Sequence, residues 1–181
     1  MSKLTKGNEE VVNKKIELMI KIIVRTDSYL NSANTKSTIL LSLSSALLVA
    51  ATINFSNISS LVFMGSDRFF VQALLVLILF FLIASIIFSL KGITPFIEPS
   101  QKGNAFSFVD IVKGYKDLNE YRREFSSVND LEFLNQLIAL NHNLSVALVS
   151  KYEKQITAIT CIEAAAYVLC FSIYVMILSN C

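Results

Sequence analysis

An all-α integral membrane protein is the fold class this sequence predicts, and three observations predict it. Of its 181 residues, 54% are hydrophobic and only 17% charged, where an ordinary soluble domain carries roughly 25% charged residues. The apolar residues are gathered into long blocks rather than spread along the chain. The five glycines and two prolines all fall outside the three longest blocks, so uninterrupted helices are expected there. The predicted order is an amphipathic helix over 1–36, a two-helix transmembrane hairpin over 37–91, a cytosolic helical region over 92–155, and a third span over 156–181.

Each element has its own signal. Val12, Ile16, Met19, Ile20, Ile23 and Leu30 recur at helical spacing, with Lys14, Lys15, Glu17, Lys21 and Arg25 mostly off that face. Such a helix packs on its own fold or a sister subunit, or lies in the headgroup layer. Asp27 is expected on its apolar side, where a carboxylate needs a partner. Residues 37–55 and 69–90 carry no charge and are long enough to cross a hydrocarbon core of about 30 Å. A short polar connection, 56–68, makes them a hairpin. Pro95 and Pro99 break the second span's helix, a short helix is expected over 110–124, and a longer one from about Val128. Leu131, Leu134, Ile138, Leu144, Leu148 and Tyr152 keep helical spacing toward the third apolar run, 156–178, with no Gly or Pro between. One helix of roughly 50 residues, about 75 Å long, is therefore predicted there.

Seven Lys and Arg residues precede the first span, one (Arg68) lies in the hairpin loop, and eight lie from Lys91 to Lys154. The positive-inside rule then puts the N-terminus and the middle region in the cytoplasm and the hairpin loop outside. The first ten residues are polar, so no secretory apolar stretch is expected to begin at Met1. A net charge of +2 excludes duplex nucleic-acid binding by bulk electrostatics. Cys161 and Cys170 stand nine residues apart on one predicted helix, too far to bond, and read as packing residues.

No catalytic constellation is present. His142 is the only histidine, and the sequence has no Cys-x-x-Cys, phosphate loop or nucleophile elbow, so neither an enzyme nor a metal or organic cofactor is expected. Glu163, a carboxylate in an apolar run, either lines a conduction path or sits near the headgroups. Thr38, Ser42, Ser45 and Thr52 share one face of the first span, where hydroxyls serve a pore or helix packing. Lys113, Lys116, Arg122 and Arg123, interleaved with Tyr115 and Tyr121, suit phosphates and a base, or simply form a charged helix face. Lys151 and Lys154 complete the predicted ligand set of Lys113, Arg122, Arg123, Lys151 and Lys154.

Three stretches together resemble the transmembrane effectors of bacterial Pycsar antiphage defence. Ala33, Asn34, Thr35, Lys36 and Ser37 are similar to that family's Ala-Asp-x-Lys-Ala entry into the membrane, with Asn34 where Asp is usual. The run from Phe106 to Ile111, with Asp110, resembles its Phe-x-Asp-Ile element. The run from Asn135 to Leu140, with Gln136, followed by Lys151 and Tyr152, resembles its Gln-containing helix ending in Lys-Tyr. The resemblance covers the chain from about Ile22 onward. It implies a cell-suicide effector of the bacterial inner membrane that responds to a nucleotide second messenger, cyclic or oligomeric, made by a partner enzyme.

The expected protein is thus a homo-oligomeric channel or membrane-disrupting pore gated by a nucleotide, with a tetramer as one candidate assembly. Three spans alone cannot enclose a water-filled path, because polar groups in lipid need protein neighbours. A non-conducting scaffold or partner-binding subunit and a holin-like protein are the alternatives; neither needs a nucleotide-gated polar path.

Overall fold

A computed structural model describes residues 2–62, 65–95 and 104–179, with side chains from Glu10 onward, Ser66 excepted. Five helices account for nearly all of them: α1 Ser2–Ser59, α2 Gly65–Ile93, α3 Phe108–Gly114, α4 Leu118–Ser127 and α5 Asp130–Ser179. No strand occurs among the described residues. Three of these helices, α1, α2 and α5, are long and apolar enough to cross a membrane, which makes the chain a multi-pass membrane protein.

Helix α1 joins the predicted amphipathic helix and first span without a break, because no proline interrupts its 58 residues. Exposed pairs Glu10–Lys14 and Glu17–Lys21, at 2.7 and 2.6 Å, add little to the helix, because solvent screens them. Asp27 is exposed rather than on the apolar face. The seam runs Ile16, Met19, Ile23, Thr26, Leu30, alternating three and four residues, so the buried polar group is Thr26. Its hydroxyl donates to the Ile22 carbonyl at 3.0 Å and lies 3.2 Å from Asn141 Oδ1.

The predicted single helix over 110–124 is two helices. Helix α3 ends at Gly114, and Asp117 starts α4 by accepting from the Glu120 N–H at 2.8 Å, while Glu120 Oε2 accepts from the Lys116 N–H at 2.8 Å. This reciprocal cap stabilises a new helix start where a continuing helix had been expected. Asn129 opens α5 by accepting from the Glu132 N–H at 3.0 Å. With no Gly or Pro, α5 then continues for 50 residues. Helix α2 ends at Ile93, two residues before Pro95; Pro99, Gly103 and Cys181 lie outside the described residues.

The chain divides into two compact units. One comprises Met1–Ser32 and Pro95–Val149. Its core holds Val109, Leu134, Leu137 and Ala147, with the Phe106 ring 5.8 Å from that of Phe125 and 4.7 Å from that of Phe133. The other comprises Ala33–Thr94 and Ser150–Cys181. There the three membrane helices pack around Val71, Leu75, Ile78, Leu82 and Ala165. Within this unit α2 runs antiparallel to the other two: its first turn meets the end of α5 through Ser179 Oγ to Asp67 at 2.8 Å, and its last turn meets Ser37 and Lys151.

Candidate functional site

Two polar assemblies emerge, one in each unit, and both are built on residues of the quoted sequence motifs. In the membrane unit, α1, α2 and α5 are pinned together where the apolar runs of α1 and α5 begin. Gln155 Nε2 donates to the Ala33 carbonyl at 2.6 Å and to Ser37 Oγ at 2.9 Å. Lys151 Nζ donates to the carbonyls of Gly92, Ile93 and Thr94 at 2.7, 3.3 and 3.1 Å. Three ammonium hydrogens thus meet three acceptors at the C-terminal end of α2, where helix carbonyls lack intrahelical partners and the helix dipole favours a cation. Burial pulls the Lys151 pKa below the usual lysine range, and the neighbouring Lys154 adds to that effect. Gly92 is required by the close approach: a Cβ there would stand 2.7 Å from Ser37 Oγ.

Around this pin, Lys36 Nζ lies 5.6 Å from the centre of the Tyr152 ring, a cation–π arrangement. Asn34 is half-buried, with its Oδ1 buried and unpartnered. Lys154 is partly exposed. Of the predicted ligand set, Lys151 is therefore already held by backbone, whereas Lys113, Arg122 and Arg123 are exposed in the other unit.

That other unit is organised by Gln136. Its Oε1 accepts from the Ala105 N–H at 3.1 Å, and its carbonyl accepts from Asn104 Nδ2 at 2.8 Å. The Tyr121 hydroxyl donates to the Ala105 carbonyl at 3.0 Å, which ties α4 to the same segment. Asp110 is buried in α3, whose start is capped by Ser107. Tyr115 and Tyr121 face each other at 5.2 Å, and burial, then the nearby Glu124, raises the Tyr115 pKa. Because Asp117 and Glu120 serve the α4 cap, Lys113, Lys116, Arg122 and Arg123 form no ion pair among the described residues.

Along the membrane helices, Glu163, Thr38, Ser42 and Thr52 are exposed and Ser45 is half-buried. Thr38 and Thr52 donate to their own helix, to the carbonyls of Asn34 and Leu48 at 3.0 and 2.8 Å. Ser44, which the sequence reading passed over, is buried and shares a 2.8 Å hydrogen bond with Ser85 of α2. A cavity of about 390 Å³ between the three helices is lined by residues such as Ala51, Leu75, Ile162 and Ala165. Its one polar side chain, Asn54, donates to the Ala50 carbonyl, so the cavity does not suit a nucleotide. Among the described residues no cluster of metal-ligating side chains occurs.

Nothing in the helical periodicity marks Gln155, Gly92 and Ser37 as partners. A glutamine, a glycine and a serine at the edges of apolar runs are the available signal, since small and amide residues mediate contacts between membrane helices.

These features define a multi-pass helical membrane protein with polar clamps in both of its units. Residues 18–179 match the Pycsar effector protein domain, and the chain belongs to that family. It is accordingly a Pycsar antiphage membrane effector, a class that implies a cyclic-nucleotide signal from a partner cyclase. Comparison with curated proteins and with solved structures finds no match.

Proposed function

We propose that this effector is a homo-oligomeric channel or pore of the bacterial inner membrane, gated by a cyclic nucleotide and leading to abortive infection. The observation that carries the reading is Glu163, exposed on α5 within its apolar run and without a partner among the described residues. A carboxylate placed there disfavours insertion by about 2.5–3.5 kcal/mol on translocon scales unless it meets water or protein. Three spans cannot supply an enclosed aqueous path alone, so several copies are needed.

Lys113, Arg122 and Arg123 are the proposed phosphate contacts, supported by their exposure and lack of carboxylate partners. Lys154 is a further candidate in the membrane unit, while Lys151 acts there as the cap of α2. The nucleotide shifts the open–closed equilibrium by its difference in affinity for the two states. The distribution of basic residues supports a cytoplasmic N-terminus; a topology reporter inserted at Gly103 should read cytoplasmic and one after Cys181 periplasmic.

Current recording from the purified protein in planar bilayers, with and without candidate cyclic nucleotides, tests the reading. Nucleotide-dependent conductance supports it. A silent bilayer containing correctly inserted protein, at every nucleotide tried, sinks it in favour of a non-conducting scaffold.

A further inference from the structure

Helix α5 carries a second pattern that the clamps do not use. Thr160, Glu163, Tyr167, Cys170 and Tyr174 follow one another at intervals of three, four, three and four residues and are all exposed. Such alternation keeps residues on one stripe of a helix. Tyr167 and Tyr174 are 75% and 58% exposed. With Glu163, they make no hydrogen bond among the described residues, whereas the Thr160 hydroxyl donates to the Ile156 carbonyl at 3.0 Å.

Depth makes this stripe unusual. Measured from Gln155 at the helix clamp, Glu163 lies about 12 Å along α5 and Tyr167 about 18 Å, at 1.5 Å per residue. Tyrosines of an aromatic belt sit at the membrane–water boundary, and Tyr167 is near the middle of a hydrocarbon core of about 30 Å. Hydrocarbon offers nothing to a phenol or a carboxylate, so this stripe requires protein or water.

The charges of the chain decide between the two. Residues 37–67, 69–90 and 155–181 contain no Lys, Arg or His. A second copy therefore brings no cation from its own spans to meet Glu163. It brings another carboxylate, and like charges facing each other in a dry contact are disfavoured. The stripe is compatible with neighbouring copies only if water and mobile cations occupy the space between them.

We infer that the Glu163–Tyr167–Tyr174 face of α5 lines a water-filled, cation-selective path between copies of this chain. The inference rests on the channel reading and deepens it, naming the conducting surface and the sign of the permeant ion. Glu163 supplies the negative ring, the Tyr167 hydroxyl supplies a hydrogen-bond partner for water in the middle of the membrane, and Tyr174, about 28 Å along α5 from Gln155, carries the stripe to the far boundary. The hydroxyls of Thr38 and Thr52 already donate to their own backbone, and α1 is not required to face the path.

Two cysteines of the same helix provide the test. Cys170 is exposed on the stripe, while Cys161, two residues before Glu163, points away from it and is half-buried. In the full chain reconstituted in liposomes, one variant keeps only Cys170 (Cys161→Ser, Cys181→Ser) and another only Cys161 (Cys170→Ser, Cys181→Ser). A cysteine thiolate, which forms where water reaches the thiol, attacks a charged, membrane-impermeant methanethiosulfonate reagent to give a mixed disulfide and expel methanesulfinate, so Cys170 should label at least about tenfold faster than Cys161. Equal labelling of both in denaturing detergent establishes that each thiol is intact. Cys170 labelling no faster than Cys161 in liposomes would overturn the inference.

Glu163→Gln, read by reversal potentials in asymmetric salt, should lose most of the preference for cations over anions. An unchanged reversal potential also overturns it. The two readings fail separately. Conductance with an unlabelled Cys170 rejects this path and leaves a channel, whereas a labelled Cys170 with currents indifferent to nucleotide supports the path and rejects the gating.

Discussion

The two units solve the same packing problem with different side chains. In the unit containing Asn104 and Gln136, the segment before α3 is held by an aromatic cluster, Phe106 between Phe125 and Phe133, with buried Leu134 and Leu137 beneath. In the membrane unit, beside the apolar cluster of Val71, Leu75, Ile78 and Leu82, the helices also bury Ala33, Ser37, Ser44, Ser85, Gly92 and Ala158, all of them small. Water drives the first arrangement, because burying a large side chain there removes apolar surface from solvent. Lipid exerts no such drive. Membrane helices associate through close backbone approach and hydrogen bonds, for which small residues and amides serve best. Each unit also uses one glutamine of α5 as a clamp: Gln136 accepts from the Asn104 side chain at its backbone carbonyl and from the Ala105 N–H at its side chain, and Gln155 reaches Ala33 and Ser37.

The largest expected effect probes the membrane clamp. Lys151→Met leaves three carbonyls at the end of α2 without their donor and should cost about 3 kcal/mol or more. A large fall in the thermal aggregation temperature of detergent-solubilised protein would record it. If Lys151→Met were as stable as the parent, the ammonium would be no cap, and its role as a phosphate contact would regain support.

A smaller effect is expected from Gly92→Ala, whose Cβ meets Ser37 Oγ. Overpacking of this kind costs about 1–3 kcal/mol, and Ser37→Ala in the same chain should recover part of the loss. A double-mutant cycle reads the coupling; additive losses would contradict the close contact.

Gln136→Leu tests the other clamp. It leaves the buried Ala105 N–H without its partner and should cost about 1–2 kcal/mol. Limited proteolysis should find cleavage between α2 and α3 accelerated, while helix content stays at the parental level.

The smallest change in stability belongs to Lys113→Gln, Arg122→Gln and Arg123→Gln combined. These side chains are exposed and unpaired, so stability should move by no more than about 0.5 kcal/mol per site. Nucleotide dependence of activity should nevertheless be lost. Loss of toxicity would mean that the ligand opens the protein, and unprovoked toxicity that it holds it shut. Retained nucleotide binding would return these residues to an ordinary solvated face.

The helices were legible where a single physical signal acted alone. Apolar blocks long enough for a bilayer, uncharged in α1 and α2 and holding Glu163 in α5, predicted the three spans, and the absence of Gly and Pro predicted that α5 would run unbroken for some 50 residues. Local chemistry was less legible when two signals competed. The interval 110–124 has helical character throughout, yet the Asp117–Glu120 cap divides it. Asp27 illustrates a finer limit, since a displacement of one residue on a helical wheel exchanges a buried position for an exposed one, and Thr26 occupies the seam.

Sequence by itself determined that this chain is a helical membrane protein, because lipid demands uncharged runs of a fixed length and backbone satisfied within each run. Composition also determined that its spans hold one carboxylate, Glu163, and no cation. Only the tertiary structure decided that Lys151 caps α2, that Gln155 joins Ala33 to Ser37, and that Gly92 lies against Ser37. Those contacts bring together residues as much as 122 positions apart. Periodicity along one helix specifies which residues share a face, but the partner of that face is set by how several helices pack, and hydrogen bonds between them leave no repeat in the sequence.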